Sequence, residues 1–444
     1  MTERPLTVLF MPESAYGPTN QCIGIGDILR RRGHRVVFAA EASWKGKLTA
    51  LGFEEDLVDL APPPEPVLDA DGNEVEVDAG AFWKDFIRDT APEFRKPTVD
   101  QLSTFIRPTF EALVDGAKFC EPQLREIIAR TRPDVVVEDN VVAFPALTTA
   151  GRPFVRIVSC NPLELPGPGV APTFSGLPAA DDTQWASYRA EYDRVLRPLW
   201  EDFSAWCTTQ EMAPLPDLEW VPEGAANLYV YPAEADYTDA RPLGPTWHRM
   251  DSSVRRTDEP YALPAAVADR PAGSALVYVS LGSLGGADLD LMRRLVDSLS
   301  RTPHRYVVSM GPRADELDLA PNMVGAEFLP QTSVVPLVDA VVTHGGNNTT
   351  TEALHFGRPM VLLPLFWDQY DNAQRMDELG FGVRLDTYRF TDEELASALA
   401  RVLDPALRAR VAAVGEAVRA RDGLTRGADV IEAVGRGLEP GAGS

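Results

Sequence analysis

The residue types most able to do chemistry fall in one run, THGGNNTTTEALHFGRPMVLLPLFWDQYDNA, at positions 343–373. A short β-branched strand, AVVT, delivers His344, Gly345 and Gly346, and Asn347 to Thr351 then open a helix. Glycines let backbone amides approach an anion closely, and a helix N-terminus adds unpaired N–H groups and a favourable dipole. His344, Gly346, Asn348 and Thr349 are therefore expected to hold a diphosphate, as neutral or cationic donors. Glu352 follows in the first turn of that helix, poorly placed for phosphate and better placed to accept hydrogen bonds from ribose hydroxyls. The next strand, MVLLPL, ends in Phe366-Trp367-Asp368-Gln369, so Asp368 and Gln369 offer a carboxylate and an amide to sugar hydroxyls. Upstream, Phe328 ends another strand, where a pyrimidine could stack on its face. Base, ribose, diphosphate and sugar are all provided for.

The elements that must position these residues read as two βα series. In the first, Thr7 to Met11, Arg35 to Ala40, Val135 to Glu138 and Phe154 to Ser159 have strand patterns, with helical patterns at Cys22 to Arg32, Leu124 to Thr131 and Ala143 to Ala150. In the second, strands are expected near 275–281, 306–310, 326–329, 340–343, 360–363 and 382–385, with helices at 289–299, 349–356 and 392–402. Alternation of this kind predicts an α/β protein of two Rossmann-like, doubly wound lobes facing a central cleft. The expected domains are an N-terminal lobe at 1–235, a Pro- and Asp-rich linker at 236–274, a C-terminal lobe at 275–425, and a C-terminal helix and tail at 426–444.

Composition narrows the function classes. With 444 residues, 45% of them apolar and 24% charged, the chain is globular and long enough for two or three domains. A formal net charge of −24 repels a phosphate backbone, which argues against nucleic acid as a partner. Cys22, Cys120, Cys160 and Cys207 are too scattered for a metal cluster, so free buried thiols in a reducing cytosol are expected. The opening residues, MTERPLTVLFMPESAYGP, hold too short an apolar stretch for a signal segment or a membrane span, and a cytoplasmic location is expected. Three weaker motifs dissolve on inspection. Gly24 and Gly26 suit close helix packing, Asp69-Ala-Asp-Gly-Asn lacks a calcium loop's closing glutamate because Gly80 stands there, and Asp288-Leu-Asp290 suits a helix cap. No metal or other cofactor is expected.

From about Ser280 to Gly382, with a weaker echo through residues 7–53, the sequence resembles the inverting family 1 glycosyltransferases of two-lobed GT-B fold, which include plant secondary-product, bacterial antibiotic and mammalian glucuronosyl enzymes. The resemblance implies that Phe328 stacks the base, Gln331 and Glu352 meet the ribose, Ser283, His344, Asn348 and Thr349 meet the diphosphate, and Asp368 with Gln369 hold the donor sugar. It further implies a UDP- or TDP-sugar donor in the C-terminal lobe and a small hydrophobic acceptor in the N-terminal lobe. Trp83, Phe86 and Trp185, from two aromatic-rich excursions, are the expected acceptor wall.

One family position departs. The usual base histidine would stand about fifteen residues before Gly33-His34, and Pro18 is there instead. His34 itself lies at a helix-to-strand connection and is expected to be structural. Asp139, matching the aspartate that orients the family's histidine, and Glu13, in the loop that carries Pro18, are the catalytic candidates. Without a histidine, an amine, a carboxylate or an acidic hydroxyl becomes a fitting acceptor. A nucleotide-sugar epimerase and a non-catalytic donor-binding accessory protein are the alternative readings, and oligomeric state is left open.

Overall fold

The computed structural model describes residues 4–62, 79–165 and 167–440, with side chains of the helix Ala79–Phe94 described from Phe86 onward. The first sheet holds β1 (Thr7–Pro12), β2 (Arg35–Glu41), β3 (Glu54–Val58), β4 (Val135–Asp139), β5 (Phe154–Val158), β6 (Ala226–Tyr229) and β7 (Trp247–Arg249) in the order β3-β2-β1-β4-β5-β6-β7. The second holds β8 (Leu276–Ser280), β9 (Arg305–Ser309), β10 (Met323–Ala326), β11 (Ala340–Thr343), β12 (Met360–Leu362) and β13 (Gly382–Arg384) in the order β10-β9-β8-β11-β12-β13. Every pairing in both sheets is parallel. Helices cover both faces, so the central strands are buried and read as unbroken apolar runs such as VVV in β4 and LVYV in β8. This is the expected pair of doubly wound α/β lobes. Strand order reverses between β1 and β4 and again between β8 and β11, and crevices at such switch points accept ligands.

Several boundaries differ from the expectation. β7 belongs to the N-terminal sheet, so that lobe continues beyond residue 235 into the stretch read as linker. β3 and β6 carried no clear sequence signal, since EEDLV is acidic at the sheet edge and ANLY is short. β10 ends at Ala326, which leaves Phe328 in the loop beyond it. The first helix spans Tyr16–Arg31, starting before Cys22, with Pro18 in its opening turn where a missing N–H costs nothing.

The closing helix runs from Gly423 to Gly435 and packs on the N-terminal lobe, where Leu424, Ala428 and Ile431 join Val8, Ile25 and Val137 in one core. A Cβ at Gly423 would lie 1.5 Å from the carbonyl oxygen of Met250, so only glycine lets the chain cross back here. Gly24 faces Leu424 of this helix and Gly26 faces Phe53, Phe38 and Val36, which accounts for both glycines by packing. Asp288 caps Leu289–Ser300 by accepting from the Leu291 N–H at 3.2 Å. His34 is buried, and its Nδ1 accepts from the Leu6 N–H at 3.1 Å. Asp69 and its neighbours lie outside the described residues.

The lobes are tied across the cleft floor. Asn347, first residue of the helix Asn347–His355, donates from Nδ2 to the carbonyls of Ser159 at 2.7 Å and Val230 at 3.0 Å, at the ends of β5 and β6. Asp371 accepts from the Phe174 N–H at 2.6 Å and the Gly176 N–H at 2.8 Å. Asn161 donates to Asn372 at 2.8 Å, and Arg375 reaches the carbonyls of Ala235 and Asp236.

Candidate active site

The cleft between the switch points encloses about 1080 Å³ and is lined from both lobes. Loops after β8, β10, β11 and β12 supply Ser283, Phe328, Gln331, His344, Gly346, Asn348, Thr349, Asp368 and Gln369, and all nine line it. The strand-turn-helix at 340–355 positions the middle of this set. Gly345 turns the chain with φ 86°, and Gly346 caps the helix. A Cβ on Gly346 would sit 2.5 Å from His344 Nε2, and one on Gly282 3.0 Å from the same atom, so two glycines box the imidazole. Burial pushes the His344 pKa down to about 4 against a bond to the Ser280 backbone, which leaves the ring neutral near pH 7.

Glu352 is the exception among the expected donor residues. It is 1% exposed and stands behind the lining, with its carboxylate already engaged. Gln331 Nε2 donates to it at 2.6 Å, Asn348 Nδ2 at 3.1 Å and Arg255 Nη1 at 3.2 Å. The Glu352 carboxylate thus holds Gln331, Asn348 and Arg255, which do line the cleft. Arg255 is held in turn by Asp258 through two bonds of 2.8 Å. It lies in the stretch read as linker, and no motif marked it.

Asp368 Oδ2 accepts from the Asn161 N–H at 2.8 Å, and burial with the nearby Glu164 charge holds its pKa up at about 7. Gln369 Oε1 accepts from the Leu365 N–H at 3.0 Å, which commits its oxygen to the turn. The preceding Trp367 adopts left-handed backbone, φ 57°, a conformation costly for a bulky residue and concentrated at functional sites. Its ring meets Phe174, also left-handed at φ 63°, with centroids 4.4 Å apart.

On the N-terminal side the two carboxylates separate. The Glu13 N–H donates to the Asp139 carbonyl at 2.8 Å, joining the loop after β1 to the end of β4. Glu13 lines the cleft, next to Pro18 and Asn20. Asp139 is 2% exposed, lies off the lining, and has Cys22 Sγ 3.9 Å from Oδ2. Burial raises the Asp139 pKa well above the carboxylate range, with the charges of Glu164 and Glu13 adding to it. Glu13 is raised to about 7 by burial and by Glu164. Glu164 itself pairs with Arg156 at 3.1 Å. Cys22, Cys120 and Cys207 are buried free thiols, while Cys160 reaches the cleft wall with its pKa raised by burial.

The three aromatics expected at the acceptor side are placed differently. Phe86 lines the cleft, whereas Trp185 is buried against Leu163, Val170 and Tyr237 with Nε1 donating to the Pro178 carbonyl at 3.2 Å. The Trp83 side chain lies outside the described residues. Phe105, Phe366 and Trp367 also line the cleft, with Phe366 stacked on Phe94 at 4.8 Å. Phe366 and Trp367 were not singled out as cleft-lining aromatics because they adjoin Asp368, which drew the sequence reading toward the sugar.

Residues 253–411 match the family model described as UDP-glucoronosyl and UDP-glucosyl transferase. Over nearly its whole length the chain is 26% identical to demethyllactenocin mycarosyltransferase of Streptomyces fradiae, covering 98% of this chain and 87% of that protein. This chain is a glycosyltransferase, similar to the family 1 enzymes. Oleandomycin glycosyltransferase of Streptomyces antibioticus is also 26% identical to it, with 97% of this chain and 91% of that protein covered. The glycosyltransferase shares its GT-B fold with the glycotransferase of kitacinnamycin, at TM-score 0.70 and 23% identity over 97% of this chain and all of that one. It likewise superposes on VinC, solved with dTDP, at TM-score 0.65 and 19% identity, with 97% and 100% covered. No described helix of the glycosyltransferase is long and apolar enough to cross a membrane.

Proposed function

We propose that the enzyme moves a sugar from a UDP- or TDP-sugar to a small hydrophobic acceptor in one inverting displacement, with Glu13 as base. The observation that carries this reading is that one cleft brings together the diphosphate-type donors His344, Asn348 and Thr349, the Asp368-Gln369 pair and the carboxylate of Glu13. The family match, whose description includes UDP-sugar enzymes, and the dTDP bound to VinC support the donor class.

In this reading the acceptor's X–H group attacks the anomeric carbon as the bond to the diphosphate oxygen breaks. The proton passes to Glu13, whose raised pKa suits proton transfer near neutrality. Negative charge gathering on the departing diphosphate meets the N-terminus of Asn347–His355 and the side chains of Asn348 and Thr349. Asp139, buried and walled off, braces the Glu13 loop through its carbonyl. Pro18 stands where the family's base histidine is expected, so an amine, a carboxylate or an acidic hydroxyl remains the fitting acceptor. No metal is invoked, because neutral donors and a helix dipole face the leaving group. Calorimetric titration with UDP and TDP, in wild type and His344→Ala, tests the donor half; no binding of either nucleotide to wild type would end the reading. Mass spectrometry of products from a mixed acceptor library, with anomeric configuration read by NMR coupling, tests the transfer. Isomerised donor formed without acceptor would favour the epimerase alternative, and tight donor binding without turnover the accessory one.

A further inference from the structure

The wall expected to meet the ribose is a closed hydrogen-bond network. Gln331 Oε1 accepts from the Tyr278 hydroxyl at 3.1 Å, and its Nε2 donates to Glu352 Oε2 at 2.6 Å and to Thr349 Oγ1 at 3.2 Å. Glu352 Oε1 accepts twice, from Asn348 Nδ2 at 3.1 Å and from Arg255 Nη1 at 3.2 Å. The other edge of the Arg255 guanidinium is spent on Asp258, to which Nε and Nη2 each donate at 2.8 Å. Asp258 is anchored in turn by the N–H and the hydroxyl of Thr332, at 3.1 and 2.9 Å.

Arg255 decides what this wall offers to the cleft. Its side chain is 11% exposed and on the lining, whereas the Glu352 side chain is 1% exposed and off it. A carboxylate open to a ribose would accept from both of its hydroxyls, but here the Glu352 oxygens are turned to Arg255, Asn348 and Gln331. The group presented in its place is a guanidinium, which donates and cannot accept. Asp258, the other carboxylate on this wall, is engaged by Arg255 and Thr332. An enclosed hydroxyl whose proton finds no acceptor loses a hydrogen bond that it had in water, so a 2′-hydroxyl weakens binding here.

We propose that Arg255 is a specificity-determining residue of the donor site: by holding the Glu352 carboxylate away from the ligand, it makes the site favour a 2′-deoxyribonucleoside diphosphate over the ribonucleotide. Arg255 acts through Glu352, as a positioning residue. This rests on the donor-site reading above, and of the two carriers named there it selects TDP, by its sugar and not by its base.

The test is calorimetric titration of the full chain with UDP and with 2′-deoxyuridine diphosphate, which share a base and differ by one hydroxyl. Wild type should bind the deoxy compound about tenfold more tightly. Arg255→Met, which keeps an unbranched stem and removes the donors, should erase that preference by tightening UDP binding. Arg255→Met combined with Glu352→Ala should restore it, because the acceptor that Arg255 had withheld is then gone; a merely structural effect of Arg255→Met would not be reversed in this way. UDP bound by wild type as tightly as its deoxy analogue overturns the proposal without recourse to any variant. A preference unchanged in Arg255→Met, or a double variant that binds UDP as Arg255→Met does, overturns it as well. Failure of both nucleotides to bind wild type strikes the donor-site reading and the proposal with it, whereas binding of both without a deoxy preference leaves that reading standing and removes only the role of Arg255.

Discussion

The rings of Tyr16 and Phe328 face each other across the mouth of the cleft, centroids 5.8 Å apart and planes inclined by 36°. Tyr16 comes from the N-terminal lobe and Phe328 from the C-terminal lobe, and both are large apolar groups left open to solvent, 45% and 51% exposed. A pyrimidine stacked on Phe328 would part the two rings by about 1 Å and come to lie under Tyr16, near Lys47, whose Nζ is 5.4 Å from the Tyr16 ring centre. Tyr16→Ala and Phe328→Ala should each weaken UDP binding about tenfold with melting temperature unchanged. An unaltered dissociation constant in Tyr16→Ala, measured by calorimetry, would remove the upper ring from the site.

Glu13 and Asp139 make different predictions. A base with a pKa of about 7 is active only when deprotonated, so kcat/KM should rise with pH through about 7 and level off above it. Glu13→Gln should lower the rate by roughly 10² to 10⁴ and abolish that limb of the profile. Asp139→Asn should keep the limb, because its side chain is buried off the cleft lining and takes no proton from an acceptor there. A wild-type profile retained in Glu13→Gln would exclude Glu13.

Neutral His344 links nucleotide binding to protons. Its pKa of about 4 in the free enzyme must rise when a diphosphate anion arrives, so the complex holds more protons than the free partners. UDP affinity should therefore strengthen as pH falls from 7 toward 5, and the slope should be shallower in His344→Ala. Titrations across that range compare the two directly, and identical slopes would show that His344 takes up no proton.

Gly346 isolates a steric effect. Its φ of −57° and ψ of 142° suit alanine, so backbone strain is absent, yet the added methyl would meet His344 Nε2 at 2.5 Å. Gly346→Ala should cost about 1–3 kcal/mol in urea denaturation and lower UDP affinity by displacing the imidazole. Gly437→Ala, whose Cβ would meet nothing within 4 Å but whose φ is 70°, is the contrasting control for strain without a clash.

Asp371 tests the hinge between the lobes. Removing its carboxylate leaves the N–H groups of Phe174 and Gly176 buried without partners, at about 1–3 kcal/mol each. Asp371→Ala should lower the melting temperature by several degrees and, if those bonds hold the lobes closed, increase the radius of gyration in solution scattering. A variant as stable as wild type would contradict the first expectation.

What the amino-acid order determined by itself was the donor run and the rhythm around it. His344 to Glu352 are consecutive, their strand-turn-helix is local, and Gly345 makes the left-handed turn within it. The helix 392–402 was legible for the same reason, with Thr391 and Glu394 closing a capping box within four residues. Tertiary structure decided what depends on distant segments. Whether Glu13 or Asp139 reaches the cleft turns on β1 lying beside β4, and that pairing walls off one carboxylate while leaving the other on the cleft lining. Glu352 looked available until Arg255, 97 residues away, was found holding it. Trp185 and Trp367 are equally aromatic on the page, yet one fills a core and the other faces the cleft. Sequence sets residue type and local geometry, whereas the direction a side chain finally faces, and how many of its hydrogen bonds are already spent, is fixed only when remote elements pack against it.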